Sequence, residues 1–319
     1  MSAKRAVITG AAGCIGRAFT DALTKDGYEV TGIDLRSGPG IVAGDISEPG
    51  EWTKAIDGAD LVVHAAAVVG ELGELSAYWK INVDGTRNVL DAASNGRAGR
   101  VLHLSSIVVH GSDFADGVDE TATVRMTGNP YTDTKTASEH QALLAAASGR
   151  AQVTIVRPGD VYGPGSVPWT LRPVEMMKRK VFTLVDHGRG VLSPTYVDDL
   201  VAGSMVVATH ADTVGHVFHV TGGKGVRAAD FFGYYARMLG IRLRSVPSKA
   251  MYVVAPAAKV ARMVGKKLPF TPDTIEYITH PGTYSIKKID AMTGWRPAVT
   301  LDDGMARTEA WLRAEKLIP

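Results

Sequence analysis

Tyr131 and Lys135, a phenol and an amine four positions apart, carry the spacing in this 319-residue chain that most directly suggests chemistry. On a helix, residues i and i+4 share one face. An ammonium beside a phenol favours the phenolate and lowers the phenol's pKa toward working pH, which makes a general acid/base. Spacing alone does not separate this from an exposed tyrosine and lysine with no shared task. The helix itself is well signalled: Asn129-Pro130 precedes the pair, proline suits a first helical turn, and Thr136 to Leu144 continues with good helix formers.

A second group lies at the start of the chain. Gly10-Ala11-Ala12-Gly13-Cys14-Ile15-Gly16 follows a strand-like run and opens a helical one. Glycines at such a turn let backbone approach a pyrophosphate, and the helix N-terminus offers free N–H groups and a positive dipole end. Gly10, Gly13, Cys14, Ile15 and Gly16 are therefore expected to bind a dinucleotide. Asp34 ends the next strand about 20 residues on, where a carboxylate accepts from ribose hydroxyls and repels a 2′-phosphate. That favours NAD over NADP, although Arg36 is placed to pair with a 2′-phosphate. Asp45-Ile46 follows a short third strand and reads either as an adenine contact or as a solvated turn. His64-Ala65-Ala66 ends a further strand, where small residues permit close contact with a cofactor; His64 by itself reads as structural. Leu104-Ser105-Ser106 ends another, and one of its hydroxyls is expected to face the same crevice.

These groups need a scaffold that gathers strand ends. Ala6 to Thr9, Glu29 to Asp34, Leu61 to His64, Arg100 to Ser105 and Val153 to Val156 read as strands. Ile15 to Lys25, Tyr78 to Ala93 and the segment opened by Tyr131 read as the helices between them. Apolar strands alternating with helices predict right-handed βαβ units and an α/β, doubly wound parallel sheet of Rossmann type. Residues 1–160 would form this dinucleotide-binding domain, with 190–222 returning to it. Residues 161–189 and 223–319, richer in Gly and Pro and less regular, would form a smaller, mainly C-terminal substrate lobe.

The totals exclude other classes. A net charge of +2 leaves no nucleic-acid footprint. The single cysteine, Cys14, rules out an intramolecular disulfide and a cysteine-rich metal site, and no metal is expected. The apolar run after Lys4-Arg5 is too short for a signal-peptide core, and no uncharged stretch reaches the roughly 20 residues of a spanning helix. The expectation is a cytoplasmic soluble protein.

The chain resembles an extended short-chain dehydrogenase/reductase of the NAD-dependent epimerase/dehydratase superfamily. The resemblance runs in order over nearly its whole length. It is carried by Gly10-x-x-Gly13-x-x-Gly16, Asp34, His64-Ala65-Ala66, Asn82-Val83-x-Gly85-Thr86, Ser105-Ser106 with Gly111, Tyr131-x-x-x-Lys135, Arg157-Pro158-Gly159-x-Val161-Tyr162-Gly163-Pro164-Gly165, Val197-Asp198-Asp199 and Gly294-Trp295-Arg296-Pro297. It implies that Ser106 is the catalytic hydroxyl and Tyr131 the acid/base. Lys135 would bind the nicotinamide ribose, Asn82 would support the site, and Pro158 to Val161 would line the nicotinamide pocket. His110 stands where the family usually has tyrosine.

Within that family, Ile107-Val108 after Ser106 argues against a dehydratase, which usually carries Asp-Glu there. Nucleotide-sugar enzymes commonly hold a diphosphate with an arginine seven residues before the position of Asp198; here that residue is Val191, with Arg189 nearby. Residues 250–267 form a long apolar run ending in Lys266-Lys267, similar to the hydroxysteroid and sterol dehydrogenase branch. Such a run suits a greasy ligand, a membrane surface or an ordinary core. Trp169, Met176 and Met177 are expected either in an apolar pocket wall or in the core. The reading is hydride transfer between NAD and a secondary alcohol or ketone of an apolar, sterol-like small molecule. The alternatives are a nucleotide-sugar 4-epimerase with bound NAD and a non-catalytic dinucleotide sensor. The resemblance also implies a homodimer.

Overall fold

A computed structural model of the chain describes residues 3–70, 74–251 and 272–319. Seven strands form one parallel sheet: β1 (Arg5–Thr9), β2 (Glu29–Asp34), β3 (Ile41–Ala43), β4 (Leu61–His64), β5 (Arg100–Leu104), β6 (Val153–Pro158) and, after four short strands, β11 (Val217–Val220). Their order is β3-β2-β1-β4-β5-β6-β11, with every neighbouring pair parallel. Winding runs outward in opposite directions from β1 and β4, so a crevice opens past their C-terminal ends. Thr9 pairs with His64 there, and His64 with His103.

The strands are apolar throughout because both faces are covered. Successive side chains alternate between faces. Ala6, Ile8, Leu61, Val63, Leu102 and Leu104 join one buried cluster with Phe19 and Leu23 of α1 (Cys14–Lys25). Val7, Val62, Val101, Val153 and Ile155 join a second, with Trp52 and Ile56 beside α2 (Thr53–Ile56).

One expected helix, Tyr78 to Ala93, is interrupted. It divides into α3 (Leu75–Trp79), a π turn over Lys80–Asp84, and α4 (Gly85–Asn95). The turn carries Asn82, whose amide is bonded outside the helix. Its Nδ2 donates to the Val68 carbonyl (3.1 Å) and to Thr134 Oγ1 (3.0 Å), and its Oδ1 accepts from the Val68 N–H (2.8 Å). Single π turns accommodate such diverted side chains. Asn82 thereby ties the segment after β4 to α5 (Pro130–Ala147).

The remaining elements wall the crevice from above. β7 (Asp160–Tyr162) pairs with β10 (Pro194–Tyr196), β8 (Leu184–Val185) with β13 (Ser245–Val246), and β9 (Val191–Leu192) with β12 (Val226–Arg227). Helices α6 (Arg172–Lys178), α8 (Ala228–Met238) and α9 (Pro272–Thr279) pack around them. α7 (Val197–Thr209) lies back on β5, β6 and α1, and α10 (Lys287–Thr293) and α11 (Leu301–Ala314) close the chain. Of the apolar run at 250–267, only Ala250 and Met251 fall among the described residues. No helix among the described residues is long and apolar enough to cross a membrane.

Candidate active site

α5 positions the central residues. Pro130 occupies its first turn, and the Asn129 side chain caps it by accepting from the N–H groups of Tyr131 (2.9 Å) and Thr132 (3.2 Å). Tyr131, Lys135 and Glu139 then recur every fourth residue along one face. Tyr131 hydrogen-bonds Ser106. Lys135 is buried and donates Nζ to the Leu104 carbonyl at 2.5 Å. Glu139 is buried against Arg157, with Oε2 accepting from Arg157 Nε (3.0 Å) and from Ser105 Oγ (2.6 Å). Arg157 Nη1 also meets His110 Nε2 at 3.0 Å, and that nitrogen lies 3.0 Å from His219 Nε2.

The electrostatics differ from the simple expectation for the Tyr131–Lys135 spacing. Burial pushes the Tyr131 phenol up to about 12, against the lowering effect of its bond to Ser106. Burial pulls the Lys135 ammonium down to about 8, against the raising effect of Glu139. Desolvation raises Tyr131 where the spacing alone led to an expected depression, and the Lys135 ammonium is turned onto the Leu104 carbonyl.

At the sheet switch point the glycines are there because side chains would not fit. Gly10 has φ +72°, and a Cβ on it would stand 2.8 Å from the Ala66 backbone. A Cβ on Gly16 would stand 2.2 Å from the Gly10 carbonyl oxygen. No side chain caps α1 at Gly13, so the N–H groups of Cys14, Ile15 and Gly16 point free at the crevice. Asp34 sits against this turn, its Oδ2 accepting from the Ala12 N–H at 2.9 Å. This is a cradle for an anionic linker with a carboxylate beside it for ribose hydroxyls, so the residues fit a dinucleotide. Cys14 lines the cradle as a thiol, pushed up to about 11 by burial, and its Sγ donates to the Pro164 carbonyl at 3.0 Å.

One cavity of about 1090 Å³ joins the cradle to the acid/base residues. Its lining includes Gly10, Gly13, Cys14, Ile15, Gly16, Asp34, Ala65, Ala66, Ser105, Ser106, Tyr131, Lys135, Pro158 and Val161. Four expected site residues lie outside that lining. Asp45 closes a turn onto the Ser47 N–H (2.9 Å), and Ile46 is buried against Gly85. His64 is locked between Thr9 Oγ1 (2.7 Å) and Thr86 Oγ1 (2.9 Å), and burial pulls it down to about 3. Asn82 bonds Val68 and Thr134, neither of them in the lining. Of the apolar candidates, Trp169 and Met176 line the cavity, while Met177 belongs to the core.

Sequence reasoning missed Arg172, Phe182, Phe232, Asp273 and Tyr277, all in the lining. They come from α6, α8, α9 and a connecting segment, and share no motif. Glu139 was findable: it extends the Tyr131–Lys135 stripe by one more turn.

A doubly wound sheet, a glycine cradle at its switch point and a Ser–Tyr–Lys group beside it define a dinucleotide-dependent enzyme. The model of the NAD dependent epimerase/dehydratase family matches residues 6–221, more than half of the chain. The chain belongs to that family; it is an NAD-dependent enzyme of the extended short-chain dehydrogenase/reductase type. It is 25% identical over 330 residues to sterol-4-alpha-carboxylate 3-dehydrogenase, decarboxylating, of Bos taurus, covering 96% of this chain and 92% of that one. It is 25% identical over 325 residues to 2-alkyl-3-oxoalkanoate reductase of Stenotrophomonas maltophilia, covering 95% and 98%. In fold it matches MoeE5, solved in complex with UDP-glucose and NAD, with TM-score 0.79, 23% identity and coverage of 98% and 99%.

Proposed function

We propose that the protein transfers a hydride between NAD and a secondary alcohol or ketone of an apolar, sterol-like substrate. The observation that carries this is the chamber wall. Val167, Trp169, Met176, Phe182, Leu184 and Phe232 line it, while Arg189, the alternative diphosphate partner in the sequence, is exposed and outside the lining. Such a wall suits a hydrocarbon body held by burial and oriented by few polar groups. The two named relatives, a sterol dehydrogenase and an alkyl-oxoalkanoate reductase, point to the same substrate character.

NAD, when bound, supplies the hydride-accepting C4 of the nicotinamide. In the oxidising direction Tyr131 takes the substrate hydroxyl proton and Ser106 holds the oxygen. Lys135 stabilises the phenolate form of Tyr131 that accepts this proton, and Glu139 and Arg157 fix the floor on which Lys135 and Ser105 rest. In the reducing direction a phenol near 12 is fully protonated at neutral pH and donates directly. The 4-epimerase reading has one observation in its favour: Arg172 is an exposed cation in the lining. Assay of the NAD-loaded protein with a sterol panel and a UDP-sugar panel separates the two. Steady NADH production with sterols is expected; sugar interconversion with no net NADH would replace the proposal. A cytoplasmic homodimer belongs to the same reading and is checked by light scattering and cell fractionation.

A further inference from the structure

We propose that Asn129 and Asp273 are positioning residues for Tyr131: Asp273, on the substrate-side helix α9, orients the amide that caps α5 and so helps to fix the acid/base. The inference rests on the reading of Tyr131 as the acid/base, and adds to it a determinant 144 positions away from the cap.

The Asn129 side chain is used at both ends. Its Oδ1 accepts from the N–H groups of Tyr131 (2.9 Å) and Thr132 (3.2 Å), and its Nδ2 donates to Asp273 Oδ2 (3.0 Å). Asn129 is buried, and Asn129, Tyr131 and Asp273 all line the cavity. The backbone there is held as well. The Asn129 N–H donates to Thr127 Oγ1 (3.2 Å), and the N–H groups of Thr127 and Gly128 donate to the Asp133 carboxylate at 2.6 and 3.0 Å. With the backbone fixed, the choice left to the amide is which end faces the helix.

That choice matters because an amide carries two donors on one end and an acceptor oxygen on the other. The first N–H groups of a helix need an acceptor. A flipped amide would set N–H against N–H at Tyr131 and oxygen against oxygen at Asp273. The Asp273 carboxylate only accepts, so it selects the orientation that caps α5. Glu276, three positions along α9, accepts from Ser112 Oγ (3.0 Å), which holds the helix carrying Asp273 to the segment after Ser106 at a second point. Loss of the cap frays the turn that carries the Tyr131 phenol, and that phenol works only within hydrogen-bond reach of Ser106 and the substrate oxygen.

The test exchanges donor and acceptor. In Asn129→Asp a carboxylate still caps the helix, and caps as well as an amide does, but it faces the Asp273 carboxylate. Adding Asp273→Asn to the same chain returns a donor to that gap. Amide hydrogen exchange at Tyr131 and Thr132 is read by NMR on the NAD-loaded protein at pH 7, and kcat and KM are measured with a 3-hydroxysteroid. In Asn129→Asp both amides are expected to exchange about fivefold faster, and kcat to fall by a similar factor with KM near wild type. The double variant should recover both. Loss of the fold in Asn129→Asp with the double variant folded would support the pair equally. Exchange in Asn129→Asp as slow as in the wild type, or a double variant no better than the single one, would leave Asn129 a cap alone and overturn the proposal. An exchange shift that the double variant reverses, in a protein that turns over no steroid, would support the pair and overturn the substrate reading. Steroid turnover with exchange unmoved would do the reverse.

Discussion

The cofactor side and the substrate side of the one cavity are built by different means. The cradle at residues 10–16 uses backbone: bare N–H groups, a left-handed glycine at 10 and no room for Cβ atoms. The chamber wall uses side chains from β7, α6, α8 and α9, held by packing such as the stacked rings of Trp169 and Phe232, 6.4 Å between centroids. Backbone recognition demands particular residues at fixed spacing. Side-chain recognition demands only apolar volume, which many sequences supply. Tyr131 stands at the seam, bonded to Ser106 on the sheet side and lining the same cavity as Tyr277.

Removing the seam should separate the halves most completely. Tyr131→Phe deletes the proton donor and leaves the cradle untouched. Turnover should fall by about 10²- to 10⁴-fold, while NAD affinity by fluorescence titration stays within threefold of wild type. Undiminished turnover would remove Tyr131 from the chemistry.

The next test breaks the cradle alone. In Gly16→Ala the new methyl stands 2.2 Å from the Gly10 carbonyl oxygen, a backbone atom held by the sheet. Overpacking of this kind costs about 1–3 kcal/mol. NAD affinity is expected to drop at least tenfold, with a lower melting temperature. If NAD still bound as in the wild type, the turn would not be what holds the pyrophosphate.

The same contrast explains what was legible in the sequence. Strand order, the glycine turn, Asp34 and the Tyr131–Lys135 helix follow from local rules of period and backbone conformation. Breaking the helix at Lys80–Asp84 needed knowledge that Asn82 bonds Val68 and Thr134, segments far apart in the chain. Tyr131's upward shift needed burial, which spacing does not report. Asp160 lay inside the quoted Arg157 to Gly165 motif, but its bond to Tyr277 joins it to a residue more than a hundred positions away. The walls come from positions whose types are common in any core.

The two sides also titrate with opposite sign. Burial holds His64 down to about 3 and His110 to about 4, and holds His103 and His219 well below their ordinary value; all four lie on or beside the sheet. Between those values and about 6.5 the unfolded chain binds more protons, so their contribution is full above 6.5 and is lost as pH falls. On the chamber side burial raises Asp160 to about 6, so its contribution is full at low pH and is lost as pH rises through 6. With His280, also lowered by burial, five imidazoles oppose the raised carboxyls of Asp160, Glu120 and Asp199, and urea melts should show lower stability at pH 5 than at pH 7. His110→Asn should flatten that slope by roughly one proton, about 1.4 kcal/mol per pH unit. A pH 5 protein as stable as at pH 7 would mean that these imidazoles are charged in the fold.

The smallest effect probes the wall alone. Met176 is half-buried on α6, lines the chamber and is one of several apolar side chains there. Met176→Ala removes part of the surface that a hydrocarbon body would cover, at about 0.8 kcal/mol per buried methylene equivalent. Neighbouring rings and a flexible ligand recover some of that contact. KM for an apolar alcohol should therefore rise about threefold to tenfold, with kcat and NAD affinity near wild type, because the lost contact is made equally in ground and transition states. Such a split would show a wall that reads volume and not atoms. A fall in kcat with KM unchanged would instead place Met176 against the reacting centre, and the substrate side would then be as finely specified as the cradle.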